Sequence, residues 1–187
     1  MIEVGVLGFR AKTGRAIAVA LAGDANAPRF LWRGEVRLDH ARVPATSEPY
    51  HEVMHLPWSE AMVAVQPFVD VIERVARDVV QSMIDDMQEH GVAIRAIGVV
   101  GSPPRSLERI GNEHIRAHAA EGILFRRVVE VASAHHGLRC CAFGEKEIAL
   151  AQRDATLKAL GRVAGSPWRM DERLAAFAAS EAFALIA

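Results

Sequence analysis

The chain has 187 residues, and its 22 basic and 23 acidic side chains leave a formal net charge of −1. That balance excludes a whole-molecule attraction to nucleic acid and leaves only a local basic patch for phosphates. No apolar run approaches the roughly 20 residues of a membrane span. The opening Met1-Ile2-Glu3-Val4-Gly5-Val6 lacks the basic stretch and apolar run of a signal peptide, so a cytoplasmic protein without membrane contact is expected.

In chain order, Glu3 to Phe9 reads as a first strand, Gly14 as a turn and Arg15 to Ala22 as a second strand. After the loop Gly23-Asp24-Ala25-Asn26, residues Phe30 to Leu38 alternate Leu31, Arg33, Glu35 and Arg37 with Phe30, Trp32, Val36 and Leu38. Period two predicts a half-buried strand, and three strands on short connections predict an antiparallel meander. His40 to Pro57 is irregular, with Pro44, Pro49 and Pro57. A helix follows from Ser59 to His90, capped by Ser59, stopped by Gly91 and broken or kinked in its first part by Pro67.

Ala93 to Val100 is a continuous apolar strand of the kind buried on both faces. The turn Gly101-Ser102-Pro103-Pro104 leads to a helix from Gly111 to His136 and a strand from Leu138 to Phe143. A helix from Glu145 to Leu160, a loop from Gly161 to Pro167 and a last helix from Asp171 to Leu185 complete the chain. Cys140 and Cys141 are adjacent in a strand, where neighbouring side chains point to opposite faces, so no disulfide joins them. The order predicts an α/β protein, a mixed sheet with helices on both faces, in a single domain over residues 1–187.

The helix from Gly111 carries the principal candidate site. Phe125, Val128, Val129 and Ala132 form one apolar face, opposite Asn112, Arg116, Arg127 and Glu130. Continued toward the N-terminus, the apolar face meets His114, His118 and Glu121, at i, i+4 and i+7. Polar groups on a buried stripe need partners, so these three either satisfy a core network or line a cleft. A second motif, His51-Glu52-Val53-Met54-His55, matches the zinc-protease pattern H-E-x-x-H, which requires a helix to bring both imidazoles to one ion. Pro49 and Pro57 bracket it too closely for that helix. His51 is instead expected to enter a cleft, anchored by Tyr50 and Trp58. Asp171 and Glu172 suit the positive N-terminal end of the last helix. Arg105, after the end of an expected central strand, could contact an anion.

The opening Met1-Ile2-Glu3-Val4-Gly5-Val6-Leu7-Gly8 with Thr13-Gly14 resembles the first strand and turn of the RuvC-type Holliday-junction resolvases. The stretch Asp171-Glu172-Arg173-Leu174-Ala175-Ala176-Phe177-Ala178 resembles their last helix. The resemblance implies a ribonuclease H-like fold, with a five-stranded sheet of three antiparallel and then two parallel strands. It implies two divalent metal ions held by acids on the first strand, the fourth strand and the last helix. The first-strand acid falls on Leu7 and the fourth-strand acid on or near Gly98, so of that set only Asp171 or Glu172 remains. One carboxylate cannot clamp two hard cations.

Two functional expectations follow. The first is a nuclease-inactive, resolvase-related protein with a binding or structural role, with a second copy of the chain or nucleic acid at a local patch as candidate partners. The second is a metal-dependent hydrolase or nuclease with a relocated site. There His118, Glu121 and Asp171 would converge as catalytic and metal-binding groups on Mg, Mn or Zn, helped by His114 or His51 and flanked by Glu172 and Arg105. A third, weaker expectation is phosphate or nucleotide binding near Gly5, Gly8 and Thr13-Gly14.

Overall fold

The computed structural model describes residues 2–186. Strand β1 (Glu3–Lys12) pairs antiparallel with β2 (Arg15–Ala22), and β2 pairs antiparallel with β3 (Arg29–Arg37). The β1–β2 turn closes on Gly14, whose φ of +73° is a conformation that glycine adopts without strain. Its carbonyl accepts hydrogen bonds from Leu38 and Asp39 N–H at 2.9 and 3.1 Å, which ties the end of β3 to the turn. On the other side of β1, β4 (Val92–Gly101) and β5 (Arg139–Gly144) run parallel to it, in the order β3-β2-β1-β4-β5. This is the α/β arrangement expected from the sequence, a five-stranded mixed sheet with three antiparallel strands followed by two parallel ones. No described helix is long and apolar enough to cross a membrane.

The alternation of side chains along β1 and β4 feeds two cores. Leu7, Phe9, Ile97 and Val99 face α3 (Gln66–Glu89) and α4 (Glu113–His135). Val6, Val19, Leu21 and Ala96 face α5 (Asp154–Ala164) and α6 (Met170–Ala182). Helix α6 lies on the sheet through small residues. Gly8 and Gly98 stand directly opposite each other in the β1–β4 register. A Cβ at Gly8 would strike the Ala175 carbonyl and the Ala179 amide, and one at Gly98 the Ala178 carbonyl group. The two glycines and the alanines of α6 therefore let backbone meet backbone, a close approach that any side chain would prevent.

Three sequence expectations change. The helix expected from Ser59 to His90 is two helices, α2 (Trp58–Ala64) and α3, because Pro67 is accommodated only in a helix's first turn. Ser59 lies inside α2, and Pro57 takes the capping position. The helix expected from Glu145 opens as two 3₁₀ turns, Glu145–Glu147 and Leu150–Arg153, before α5. Ile148 and Leu150 pack against Val100, Leu174 and Ala178, and α5 continues to Ala164 through the expected loop. The irregular stretch from His40 to Pro57 contains a 3₁₀ turn, Pro44–Thr46, and a one-turn helix α1 (Pro49–Glu52).

Candidate functional site

Helix α4 begins where its sequence dictates. Asn112 caps it, its side-chain oxygen accepting from the Ile115 N–H at 2.9 Å. His114 and His118 fall one turn apart in the first two turns, and Glu121 one turn deeper. Burial divides the three: Glu121 is fully buried, whereas both histidines are exposed. The expectation of one uniformly buried stripe therefore holds only at Glu121, because the apolar face of α4 reaches the protein rim at its N-terminal end.

The one-turn helix α1 supplies the partner. Thr46, wholly buried, donates to the Val43 carbonyl at 2.6 Å and accepts from the His40 N–H at 2.8 Å, fixing the approach to α1. Tyr50 is buried and stacks on Trp58, with ring centroids 5.9 Å apart. The Arg116 guanidinium lies 5.3 Å from the centroid of the Trp58 ring. So held, His51 reaches α4. Its backbone N–H donates to Glu121 Oε1 at 3.2 Å, and its Nδ1 stands 2.8 Å from the same oxygen. An oxygen already accepting from a backbone N–H accepts from Nδ1–H as well, which leaves the lone pair of the neutral imidazole on Nε2. Burial pushes the Glu121 carboxyl above the ordinary carboxylate range, and the hydrogen bond from His51 opposes that rise.

The other two imidazoles close on His51. Ring centroids lie 4.9 Å apart for His51 and His114, 4.4 Å for His51 and His118, and 4.5 Å for His114 and His118. His114 Nε2 and His118 Nε2 are 3.2 Å apart. One ring nitrogen from each of the three lies within 4.8 Å of the others, a spacing that suits one shared ion. His55 is not in this group, since α1 ends at Glu52 and cannot present both histidines of the H-E-x-x-H pattern together.

Asp171 is elsewhere. It opens α6, on the opposite face of the sheet from α4, with its carboxylate 2.5 Å from Lys12 Nζ and 3.6 Å from Arg10 Nε. The sequence places Glu121 on the apolar face of one helix and Asp171 at the start of another but does not say which side of the sheet each helix covers, and the two are not brought together. Glu172 turns back to accept from the Arg169 N–H at 2.9 Å. Arg105 lines a cleft of about 620 Å³ at the C-terminal ends of β4 and β5, with Arg10, Ser102, Glu145, Lys146 and Glu147. Arg10 donates there to Glu145 at 2.6 Å, so cation and anion neutralise each other.

The carboxylate centre implied by the resolvase resemblance does not fit these residues. Leu7 is fully buried toward α3 and α4, and Gly98 lies beneath the α6 backbone. No protein-family profile matches the chain, and no curated protein matches it in sequence. Among solved structures, the chain is similar to T. thermophilus RuvC in complex with Holliday junction substrate, at 16% identity. That match covers 96% of this chain and 90% of that one, with a TM-score of 0.47. A second Thermus thermophilus RuvC structure matches at 17% identity over 97% and 95% of the two chains, also at 0.47. An Aquifex aeolicus member of the Ppx/GppA family matches at 10% identity over 84% of this chain and 40% of that one, at 0.40.

Proposed function

We propose that this chain, taken as one domain over residues 1–187, is a ribonuclease H-like protein that has given up the two-metal nuclease reaction and binds a ligand on the side of its sheet covered by α3 and α4. The observation that carries this reading is the state of the two expected strand-acid positions: Leu7 is apolar and buried toward α3 and α4, and Gly98 lies under the backbone of α6. Catalysis by two hard cations needs several carboxylate oxygens converging at the sheet edge. Here the place where strand side chains would meet the last helix is filled by that helix. The acid at the helix start, Asp171, is neutralised by Lys12 and Arg10 instead.

The binding role is assigned to the side covered by α3 and α4 because a fully buried carboxylate is held there at an energetic penalty. Burying a carboxylate costs several kcal/mol before its partners offset it. Glu121 has His51 as its one partner, and its second oxygen has none among the described residues. Perturbed carboxylates of this kind concentrate at functional sites. Hydrolysis is the second reading, favoured by the exposure of His114 and His118, which leaves the cluster open to water.

The test is incubation of the purified protein with labelled four-way-junction and single-stranded DNA in magnesium or manganese. No cleavage is expected. Cleavage abolished by Asp171→Asn would overturn the reading. Cleavage or ester hydrolysis that survives Asp171→Asn but is lost in His51→Ala would establish the second one.

A further inference from the structure

We infer that His51, His114 and His118 form a three-histidine site for a divalent transition ion of the zinc class, with Glu121 as the residue that positions His51. The inference rests on the binding role assigned to the side covered by α3 and α4 and names the ligand.

Four features of the cluster favour a cation. His51 Nε2 is buried and has no hydrogen-bond partner among the described residues. It is also the nitrogen that the Glu121 contact leaves with its lone pair free. The Nε2 atoms of His114 and His118 face each other at 3.2 Å, where two lone pairs repel unless a proton or an ion lies between them. Glu121 is fully buried beside this group, with one oxygen unpartnered. An ion held by the three imidazoles answers these together, because it takes up the lone pairs and supplies the charge that a buried carboxylate lacks.

The spacing and the donors select the ion. With zinc–nitrogen bonds of about 2.0–2.1 Å, tetrahedral geometry sets ligand nitrogens about 3.3 Å apart. The His114–His118 pair already stands at 3.2 Å, and a ligand nitrogen of His51 lies within 4.8 Å of theirs. Rotation of the exposed His114 and His118 rings can close that remaining gap. All three donors are imidazole nitrogens, which suit zinc, copper, iron and nickel. Magnesium and manganese prefer carboxylate, carbonyl and water oxygens, and the cluster offers none as a ligand. Three protein ligands leave a fourth position facing solvent, the arrangement of a site that exchanges a water for another ligand.

Glu121 does not itself ligate. Its Oε1 holds the far nitrogen of the His51 ring, as carboxylates do behind metal-binding histidines, fixing the tautomer and the ring direction. His51 and Glu121 come from separate elements, α1 and α4. The carboxylate therefore joins the α1 ligand to the α4 ligands before any ion arrives.

The test uses the full chain stripped with EDTA and titrated with zinc against a chromogenic chelator. We expect one ion per chain, and a Tm raised by about 5–10 °C at a hundred-fold excess over Kd. His114→Ala and His118→Ala change exposed side chains and so leave the metal-free Tm in place, and each is expected to abolish that binding. Cobalt(II) should give the visible bands of a tetrahedral nitrogen site in the native chain and not in these variants. Glu121→Gln is expected to weaken zinc by about 10–100-fold while one ion per chain is retained. Zinc bound equally well by native, His114→Ala and His118→Ala proteins would overturn the ligand set. No zinc binding at all would overturn the inference, while absent junction cleavage would still leave the non-nuclease reading standing. Magnesium-dependent junction cleavage lost in Asp171→Asn would sink that reading, whatever zinc does.

Discussion

Replacing Gly98 by alanine tests the claim that the sheet face under α6 is closed. An added Cβ would lie 2.5 Å from the Ala178 carbonyl carbon and 3.0 Å from its Cα, against the 3.5–4.0 Å of ordinary carbon contact. Both are backbone atoms, so no side chain can swing away, and α6 must lift from β4 by about 1 Å. Such overpacking costs about 1–3 kcal/mol. The stiffer unfolded chain of an alanine variant returns about 0.4–1 kcal/mol. The net loss is about 1–2 kcal/mol, a fall in Tm of about 2–8 °C for a chain of this length. Thermal denaturation followed by circular dichroism measures it. Gly111→Ala is the control, since its Cβ would have nothing within 4 Å, and its Tm should stay within about 2 °C. A Gly98→Ala protein as stable as the native one would refute the argument, because α6 would then have room for a side chain at this position.

Three further outcomes are expected. Asp171→Asn breaks the pairs with Lys12 and Arg10; since Lys12 and Asp171 are each about one-third exposed, the change should cost no more than about 1 kcal/mol in urea denaturation and leave zinc binding unaltered. Cys140 and Cys141 have thiols pushed up by burial to about 12 and about 11. Both should therefore resist alkylation by iodoacetamide at pH 8 in the folded protein and react on unfolding, and rapid labelling of the native chain would contradict the burial described for them. The Asp39 carboxyl is held below its usual range by a two-pronged contact with Arg37, at 2.9 and 2.7 Å. Its folded pKa lies below the unfolded one, so its contribution is fully present above about pH 4 and is lost as pH falls through the folded value. Asp39→Asn should flatten the stability profile in that acid range, and an unchanged profile would show that the pair does not act.

The fold was largely legible in the sequence, because strong periodicity left few choices. The second strand, read from Arg15 to Ala22, has those bounds in the fold, and the unbroken apolar run of β4 announces a strand covered on both faces. Boundaries failed where local chemistry competes with period. Pro67, expected to break or kink one helix, breaks it and stands in the first turn of α3, and the apolar Ile148 and Leu150, expected in a helix, serve a core patch from a 3₁₀ segment. The site was half legible. His114, His118 and Glu121 stand out by spacing alone, but which of Asp171 and His51 joins them depends on the sheet face each element covers, and helical period carries no such information. The signal that pointed to His51 was the aromatic pair Tyr50 and Trp58, expected to anchor its segment and found stacked on each other.

The sheet also acts as a partition. Closing one face with a glycine pair and a small-residue helix changes nothing about the side chains that β1 and β4 present to the other, since neighbouring strand residues point opposite ways. A chain built like this can lose a reaction on one side and acquire a different chemistry on the other without the two changes meeting in a shared core. Substitutions at the glycine pair and at the histidines should then combine additively in stability, as distant and independent sites do.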